Sequence, residues 1–350
     1  MIHTRARRIS WVPRSVRGDG GGDAEDDRLP AGESIPRSRP GPVLSAWLRP
    51  YGPADPHAAP MPVVVGAPRS GTTLLRLMLD SHPDLAIPPE TGFLSIARKF
   101  RGSGDGLRER FFREITAFPP QAPNWADFGI PADDFRDALQ RIEPFTASAG
   151  FRAFYRLYAA RHGKPRWGDK TPIYCLEIDL IRRVLPEARF VHLIRDGRDV
   201  ALSLREQWFA PGRDMATLAR YWARCVAGAR KSGLGRPDYL EVCYEELVRD
   251  PGPVLARVCR FLELEWDPAM LSHHTRARAR LAEQNGAIAP DGTPLITREQ
   301  RLRQQESSLR APDPARIGGW RTAMLPEERA EFERVGGKLL RELGYLDAEG

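Results

Sequence analysis

Pro62-Val63-Val64-Val65-Gly66-Ala67-Pro68-Arg69-Ser70-Gly71-Thr72-Thr73-Leu74 is the stretch that decides the architecture. The β-branched run 63–65 is short and continuously apolar, as a strand buried on both faces is. A tight loop, 66–71, follows it. Residues 72–81 then place Leu74, Leu75, Leu77, Met78 and Leu79 around a helix that His82-Pro83 stops. The unit is strand, phosphate-type loop, helix. The glycines let the backbone turn with its N–H groups inward, and the helix start adds partial positive charge. Arg69 adds a full charge, and Ser70, Thr72 and Thr73 add hydroxyl donors. Together they form a cradle for a phosphate-sized anion. In the nucleoside-triphosphatase pattern G-x-x-x-x-G-K-[ST], the lysine position is Thr72 here, and Arg69 lies three positions earlier. The loop is built for an anion but lacks the usual triphosphate and magnesium apparatus.

Three further units follow the same logic outward from this one. Residues 166–170, Arg-Trp-Gly-Asp-Lys, lead into a helix begun near Thr171-Pro172, where proline suits the first turn. Residues 189–194, RFVHLI, form a strand, and Asp199 starts the next helix. Residues 239–243, YLEVC, form another strand, followed by a helix over 253–262. Alternation of this kind predicts an α/β fold, a P-loop-like parallel sheet with helices on both faces. Residues from about 100 to 161 read as a helical insertion over the sheet. Residues from about 273 to 316 are polar and arginine-rich and read as a mobile C-terminal cover. Residues 326–343 form a last amphipathic helix.

The 350 residues fit one such domain plus a flexible end. Residues 1–58 are rich in Gly, Pro, Arg and Asp, and GDGGGDAEDD at 18–27 cannot bury enough apolar surface to order itself. This stretch is expected to be disordered or loosely docked, with Trp47 and Leu48 able to pack on the domain. The net charge of +7 suits an anionic ligand or a nucleic acid. The cysteines, Cys175, Cys225, Cys243 and Cys259, form no CxxC pair and no cluster with metal spacing, so no metal is expected. Cys243 and Cys259 read as buried reduced thiols. No window nears the roughly 18 apolar residues of a membrane helix, and 2–17 lack a signal-peptide core. The expectation is a cytoplasmic enzyme with no transmembrane segment.

A second anion anchor follows the strand 189–194. Arg195 sits where open α/β sheets bind ligands and can grip a phosphate bidentately, and Ser203 adds a hydroxyl. Asp196, Arg198 and Asp199 read as local: a turn, a salt bridge and a helix cap. Two anchors set apart suit a nucleotide with phosphates at its 5′ and 3′ ends. ATP and NAD explain the second anchor less well, and no G-x-G-x-x-G follows the first strand.

Gly66-x-Pro68-Arg69-Ser70-Gly71-Thr72-Thr73-Leu74 after a strand resembles the 5′-phosphosulfate loop of the sulfotransferases, most closely the tyrosylprotein branch and its bacterial relatives. Cytosolic steroid and phenol enzymes usually carry lysine where Arg69 stands. The resemblance runs from about Pro62 to Tyr345 and implies one sulfotransferase domain over 59–346. It implies 3′-phosphoadenosine-5′-phosphosulfate as co-substrate, adenosine 3′,5′-bisphosphate as product, and Arg195 and Ser203 as the 3′-phosphate ligands. Tyr244 is implied to lie near the nucleotide, although a core tyrosine reads equally well. Arg316-Ile-Gly-Gly-Trp320-Arg321 resembles the family's C-terminal Gly-Trp block, where Arg316 or Arg321 could reach a phosphate.

Sulfuryl transfer needs aligned reactants, stabilised negative charge and a base for the acceptor hydroxyl. Glu90, in Ile87-Pro-Pro-Glu-Thr-Gly-Phe93, is the candidate base, and the tyrosylprotein-type enzymes resemble this block. Lys170, at a strand end, and Arg69 are the candidate charge stabilisers. His192 reads as a core histidine and His82 as a helix cap. The His273-His274 pair lies in the polar segment. Phe111, Phe112, Trp125, Phe151, Phe154 and Tyr155 read as core. Two other functions remain to weigh. A P-loop-type small-molecule kinase is opposed by Thr72. A basic nucleic-acid binder is opposed by arginines that spread along the chain and punctuate strand ends. The expected partner is a small-molecule or peptide hydroxyl acceptor. Acceptor identity and oligomeric state are not encoded in any readable motif.

Overall fold

The computed structural model describes residues 59–120, 122–289 and 291–347. The expectations for residues 1–58 lie outside these. The chain opens with strand β1 (Met61–Val65) and helix α1 (Thr72–Asp80), then β2 (Leu85–Ala86). Helices α2 (Asp105–Thr116), α3 (Ala132–Gln140) and α4 (Ala147–Arg161) precede β3 (Arg166–Trp167) and β4 (Asp169–Lys170). Next come α5 (Ile178–Val184), β5 (Ala188–Ile194), α6 (Gly197–Arg205), α7 (Met215–Gly233), β6 (Tyr239–Cys243), α8 (Tyr244–Arg249) and α9 (Pro251–Leu262). The segment expected as a cover contains α10 (His274–Leu281), an antiparallel pair, β7 (Ala287–Ile288) and β8 (Pro294–Ile296), and α11 (Arg298–Gln304). A short α12 (Trp320–Ala323) and the long α13 (Pro326–Glu342) end the described chain.

The main sheet runs β4-β1-β5-β6, and every pairing is parallel. β1 is buried at every residue because its alternate side chains enter two cores. Val63 and Val65 face one that includes α5, α6 and α7; Val64 faces another with Leu75 and Met78 of α1 and Leu255 and Val258 of α9. Helices therefore cover both faces, as the sequence pattern requires. The aromatic residues of 93–154 belong to the first core. Phe111 lies 4.9 Å from Phe151, and Phe93 lies 4.9 Å from Phe154, both edge to face. Among the described residues, no helix is long and apolar enough to cross a membrane.

Three local expectations change. The strand 166–170 breaks at Gly168, where a Cβ would stand 2.7 Å from Pro62 Cγ and 2.8 Å from its carbonyl oxygen. Its first half pairs with β2 and its second with β1. After Thr171-Pro172 the chain makes a 3-10 turn (Pro172–Leu176) before α5 begins. The helix after β5 starts at Gly197, capped by Asp196, whose Oδ1 accepts from the Arg198 N–H at 2.9 Å, so Asp199 is not the cap. Helix α7 fills a stretch in which the motif reading placed no element.

The chain leaves β1 toward β4 on one side and β5 toward β6 on the other, so it leaves these two adjacent carboxyl ends in opposite directions. That is where open parallel sheets form a ligand crevice. The segments leaving β1, β4, β5 and β6 carry Arg69, Lys170, Arg195 and Tyr244.

Candidate active site

The loop after β1 is held from two sides. The Gly66 N–H donates to the Pro172 carbonyl at 3.1 Å, and a Cβ at Gly66 would meet the Leu193 carbonyl oxygen at 2.5 Å. The Ser70 N–H closes the turn onto Ala67 O at 3.1 Å. Arg69 sits at φ 75°, a left-handed conformation that costs a non-glycine residue about 1–3 kcal/mol and persists only where surroundings impose it. Gly71, at φ 96°, has no room for a side chain: its Cβ would fall 2.5 Å from two carbons of the Tyr244 ring. Helix α1 starts with no side-chain cap, leaving its first N–H groups directed at the crevice. The Ser70 hydroxyl is buried and has no partner among the described residues.

The two expected anchors share one guanidinium. Arg69 Nε donates to Ser203 Oγ at 3.1 Å, and its Nη2 donates to the Gln304 carbonyl at 3.0 Å, at the end of α11. Arg195 lies 4.5 Å above the Tyr244 ring and pairs with Asp199 Oδ2 at 3.3 Å. Its Nη2 donates to the Arg316 carbonyl at 3.3 Å, while its Nε is buried without a partner among the described residues. Burial, with the nearby charges of Arg195 and Arg316, holds the Arg69 guanidinium below its ordinary pKa, and Glu90 opposes them. Three arginines thus crowd one place, and a polyanion there would relieve their repulsion. The orphaned Ser70 Oγ and Arg195 Nε, the uncapped helix start and the arginine cluster all fit the phosphate groups of a doubly phosphorylated nucleotide.

Asp196 and Arg198 are structural. Arg198 bonds both Asp196 oxygens, at 3.0 and 2.8 Å, and covers the Trp320 ring at 3.6 Å. Asp199 accepts from the Gly318 and Trp320 N–H groups, each at 2.9 Å, and so fastens the Gly-Trp block to α6. That clamp turns Arg321 outward. Arg321 is exposed and stacks on Trp320 at 4.8 Å, so it is not brought to the anchors. Arg316 is the arginine of that block whose charge reaches Arg69 and Tyr244.

Glu90 and Lys170 meet beside the loop, with Nζ donating to Oε1 at 2.5 Å. Lys170 also reaches Thr73 Oγ1 at 3.4 Å, which connects the pair to the start of α1. The Lys170 side chain is 1% exposed, whereas that of Glu90 is 50% exposed. Burial lowers the Lys170 pKa; Glu90 opposes this and Arg76 adds to it. The block 87–90 is pinned by two contacts that the sequence did not announce. Arg76, fully buried, donates Nε to the Ile87 carbonyl at 2.9 Å, and the Ile87 N–H donates to Asp80 Oδ1 at 2.8 Å. Helical spacing from Thr72 to Arg76 is a signal that could have found the first of these.

The histidines stand elsewhere. His192 is buried in β5 against Tyr239 OH at 2.6 Å. His82 accepts the Asp84 N–H at 3.1 Å and bonds the Glu265 carbonyl at 2.8 Å, while Ser81 holds the helix-cap position instead. Cys243 is half-buried, with its thiol donating to Glu245 Oε2.

Comparison with known proteins agrees with this architecture. The pattern of the family described as "Sulfotransferase family" matches residues 60–268. Nodulation protein NoeE of Sinorhizobium fredii (strain NBRC 101917 / NGR234) is 29% identical over 313 residues, covering 82% of this chain and 67% of that protein. Protein-tyrosine sulfotransferase 1 of Danio rerio is 28% identical, over 61% of this chain and 56% of its own length. In three dimensions, the sulfotransferase domain from the Synechococcus PCC 7002 olefin synthase covers 85% of this chain and 99% of its own, with a TM-score of 0.52 at 23% identity, a likeness of fold. The chain belongs to the sulfotransferase family, whose members move a sulfuryl group from 3′-phosphoadenosine-5′-phosphosulfate to an acceptor hydroxyl.

Proposed function

We propose that Glu90 is the general base and that Lys170 and Arg69 stabilise charge on the transferring group, with the donor held across the carboxyl ends of β1, β5 and β6. The observation that carries this reading is the convergence of Arg69, Arg195 and the Glu90–Lys170 pair on one crevice. In this reading Ser70, Gly71, Thr72 and Thr73 hold the 5′ end through backbone N–H groups and hydroxyls. Arg195 and Ser203 hold the 3′-phosphate, and Tyr244 supports Arg195 from below. Bound donor supplies an activated sulfuryl group at the head of α1.

Glu90, half in solvent, accepts the proton of the incoming hydroxyl as the oxygen attacks sulfur, the bond from sulfur to the 5′-phosphate oxygen breaks, and adenosine 3′,5′-bisphosphate leaves with the bonding pair. Lys170 and Arg69 then face the oxygens on which charge collects. Lys170 is suited to that place because it is buried and its charge is incompletely compensated by a half-exposed carboxylate. The acceptor class is a small-molecule or peptide hydroxyl. The protein-tyrosine name of one relative suggests tyrosyl hydroxyls, and the exposed Glu90 is consistent with a substituent presented from solution.

Thermal melting of the full chain with adenosine 3′,5′-bisphosphate, ATP–magnesium or a single-stranded oligonucleotide tests the donor assignment. Stabilisation by the first alone is expected, about 2.7 kcal/mol at a hundredfold excess over Kd. Equal stabilisation by ATP–magnesium would favour the kinase reading.

A further inference from the structure

The chain neighbours of the two reacting groups are bonded to each other. Thr91 follows Glu90, Asp169 precedes Lys170, and Thr91 Oγ1 donates to Asp169 Oδ2 at 2.6 Å. Tyr155, from α4, donates its hydroxyl to the same oxygen at 2.8 Å. Tyr174 OH lies 2.9 Å from Thr91 Oγ1 and accepts the Leu94 N–H at 2.8 Å, and the Thr91 N–H donates to Thr171 Oγ1 at 3.1 Å. All of these side chains are buried, and Asp169 is fully so. Among the described residues Asp169 is in no salt bridge, and its Oδ1 is buried without a hydrogen-bond partner. The adjacent lysine turns its ammonium to Glu90 instead.

A carboxylate held in this way is an expensive means of stabilising a core, since an apolar group of similar volume would avoid its desolvation. Burial raises the Asp169 carboxyl to about 6, even though Thr91 and Tyr155 donate to it. What the cluster does accomplish is geometric. It ties the loop carrying Glu90 to the strand carrying Lys170, and it connects both to the helical insertion through Tyr155. Upstream, block 87–90 is fixed at Ile87 by Arg76 and Asp80. Thr91 supplies the restraint on the other side of Glu90.

We propose that Asp169 is a positioning residue that sets the Glu90–Lys170 geometry through the hydroxyl of Thr91, with Tyr155 donating to the same oxygen. This rests on Glu90 being the base. A displacement of about 1 Å at a reacting group can cost a hundredfold in rate, whereas binding of the nucleotide at Arg69 and Arg195 does not pass through these residues.

The test compares Thr91→Val, which keeps shape but loses the hydroxyl, with Thr91→Ser, which keeps the hydroxyl. The readouts are transfer of labelled sulfuryl to 4-nitrophenol and to water, titration with adenosine 3′,5′-bisphosphate, and a crystal structure of each variant. For Thr91→Val we expect kcat to fall about 10- to 100-fold, nucleotide Kd to stay within about twofold, and Glu90 to leave hydrogen-bond distance of Lys170. Thr91→Ser should restore both rate and geometry, and Thr91→Val should add nothing in a Glu90→Gln background. If Thr91→Val does not fold, Thr91→Ala carries the same comparison. An undisturbed Glu90–Lys170 pair in the hydroxyl-less variant overturns the proposal, as does a parallel loss of nucleotide affinity. Wild-type turnover by Glu90→Gln would instead remove the base assignment. A displaced Glu90 in the Thr91→Val crystal would still stand in that case, so the two failures are distinguishable.

Discussion

Lys170 Nζ and Glu90 Oε1 stand 2.5 Å apart although 80 residues separate them in the chain. β4 pairs with β1 in parallel and ends where the loop after β2 turns back. One member of the pair is sealed in protein and the other is half exposed to solvent.

Glu90→Gln is expected to retain affinity for adenosine 3′,5′-bisphosphate and to lose about 10²–10⁴-fold in turnover. Calorimetric titration and a sulfuryl-transfer assay on the same preparation check this. Undiminished turnover would show that another group takes the proton.

Arg195→Ala should weaken ligands that carry a 3′-phosphate and leave adenosine 5′-phosphate nearly unaffected. The expected loss is about 1.5–3 kcal/mol, as for a hydrogen bond to a charged group. The affinity ratio of the two ligands is the readout, because a general loss of fold would lower both alike.

Gly71→Ala and Gly102→Ala make a controlled pair. Both glycines have positive φ, 96° and 91°, but a Cβ at Gly71 strikes the Tyr244 ring while one at Gly102 meets nothing within 4 Å. Gly102→Ala should cost about 1–2 kcal/mol of conformational strain. Gly71→Ala should cost more and also abolish nucleotide binding, by displacing Tyr244 from beneath Arg195. Denaturant melts and nucleotide titration separate the two effects.

Arg280, from α10, donates its Nε to Asp80 Oδ2 at 2.6 Å, and its side chain is 11% exposed. Arg280→Met should destabilise the fold by about 3 kcal/mol, the lower end for breaking a buried ion pair, because the guanidinium keeps some solvent contact. Burial alone would raise the Asp80 carboxyl, but Arg280, with Arg76 and Lys164, holds it below its ordinary value. A carboxylate depressed on folding contributes stability above its unfolded pKa and loses it as pH falls through the folded pKa. The gap in Tm between wild type and variant should therefore be wide at pH 7 and narrow below about pH 4.

Asp169 has the opposite sign. Its carboxyl is raised to about 6 by burial, so its contribution is greatest below about pH 4 and diminishes as pH climbs to 6. Asp169→Asn keeps an oxygen for Thr91 and Tyr155 and removes the charge. Relative to wild type, the variant should gain stability between pH 4 and 7, by about 3 kcal/mol at most. A flat difference across that range would mean that the site is better solvated than its burial implies.

Much of this was legible in the chain because the informative contacts are local. The run 61–65, the loop at 66–71, the strand RFVHLI and the helix ended by Leu262 all announce themselves through periodicity, glycine and proline. Arg69, Lys170 and Arg195 could be placed because residues at the ends of parallel strands share one edge. The break at Gly168 was not legible, since its two sides pair with different strands, β2 before it and β1 after it. Nor was the placement of Arg316 and Arg321, in a block fastened by Asp199, which captures amides 119 and 121 residues away. Thr91 and Asp169 each lay within a quoted motif, but nothing in either motif says that the two bond. Helix α7 carried a capping Asp214 and an apolar stripe through Leu218, Trp222, Cys225 and Ala229. It was readable and fell between the motif blocks.

The central place of β1 gives the catalyst a division of labour that engineers can use. Arg195 and Tyr244 follow the two strands on one flank of β1, while the route to β4, on the other, runs through the helices of 105–161. Engineering of that helical segment has to keep the aromatic side chains that share a core with Val63 and Val65, and Tyr155 with them.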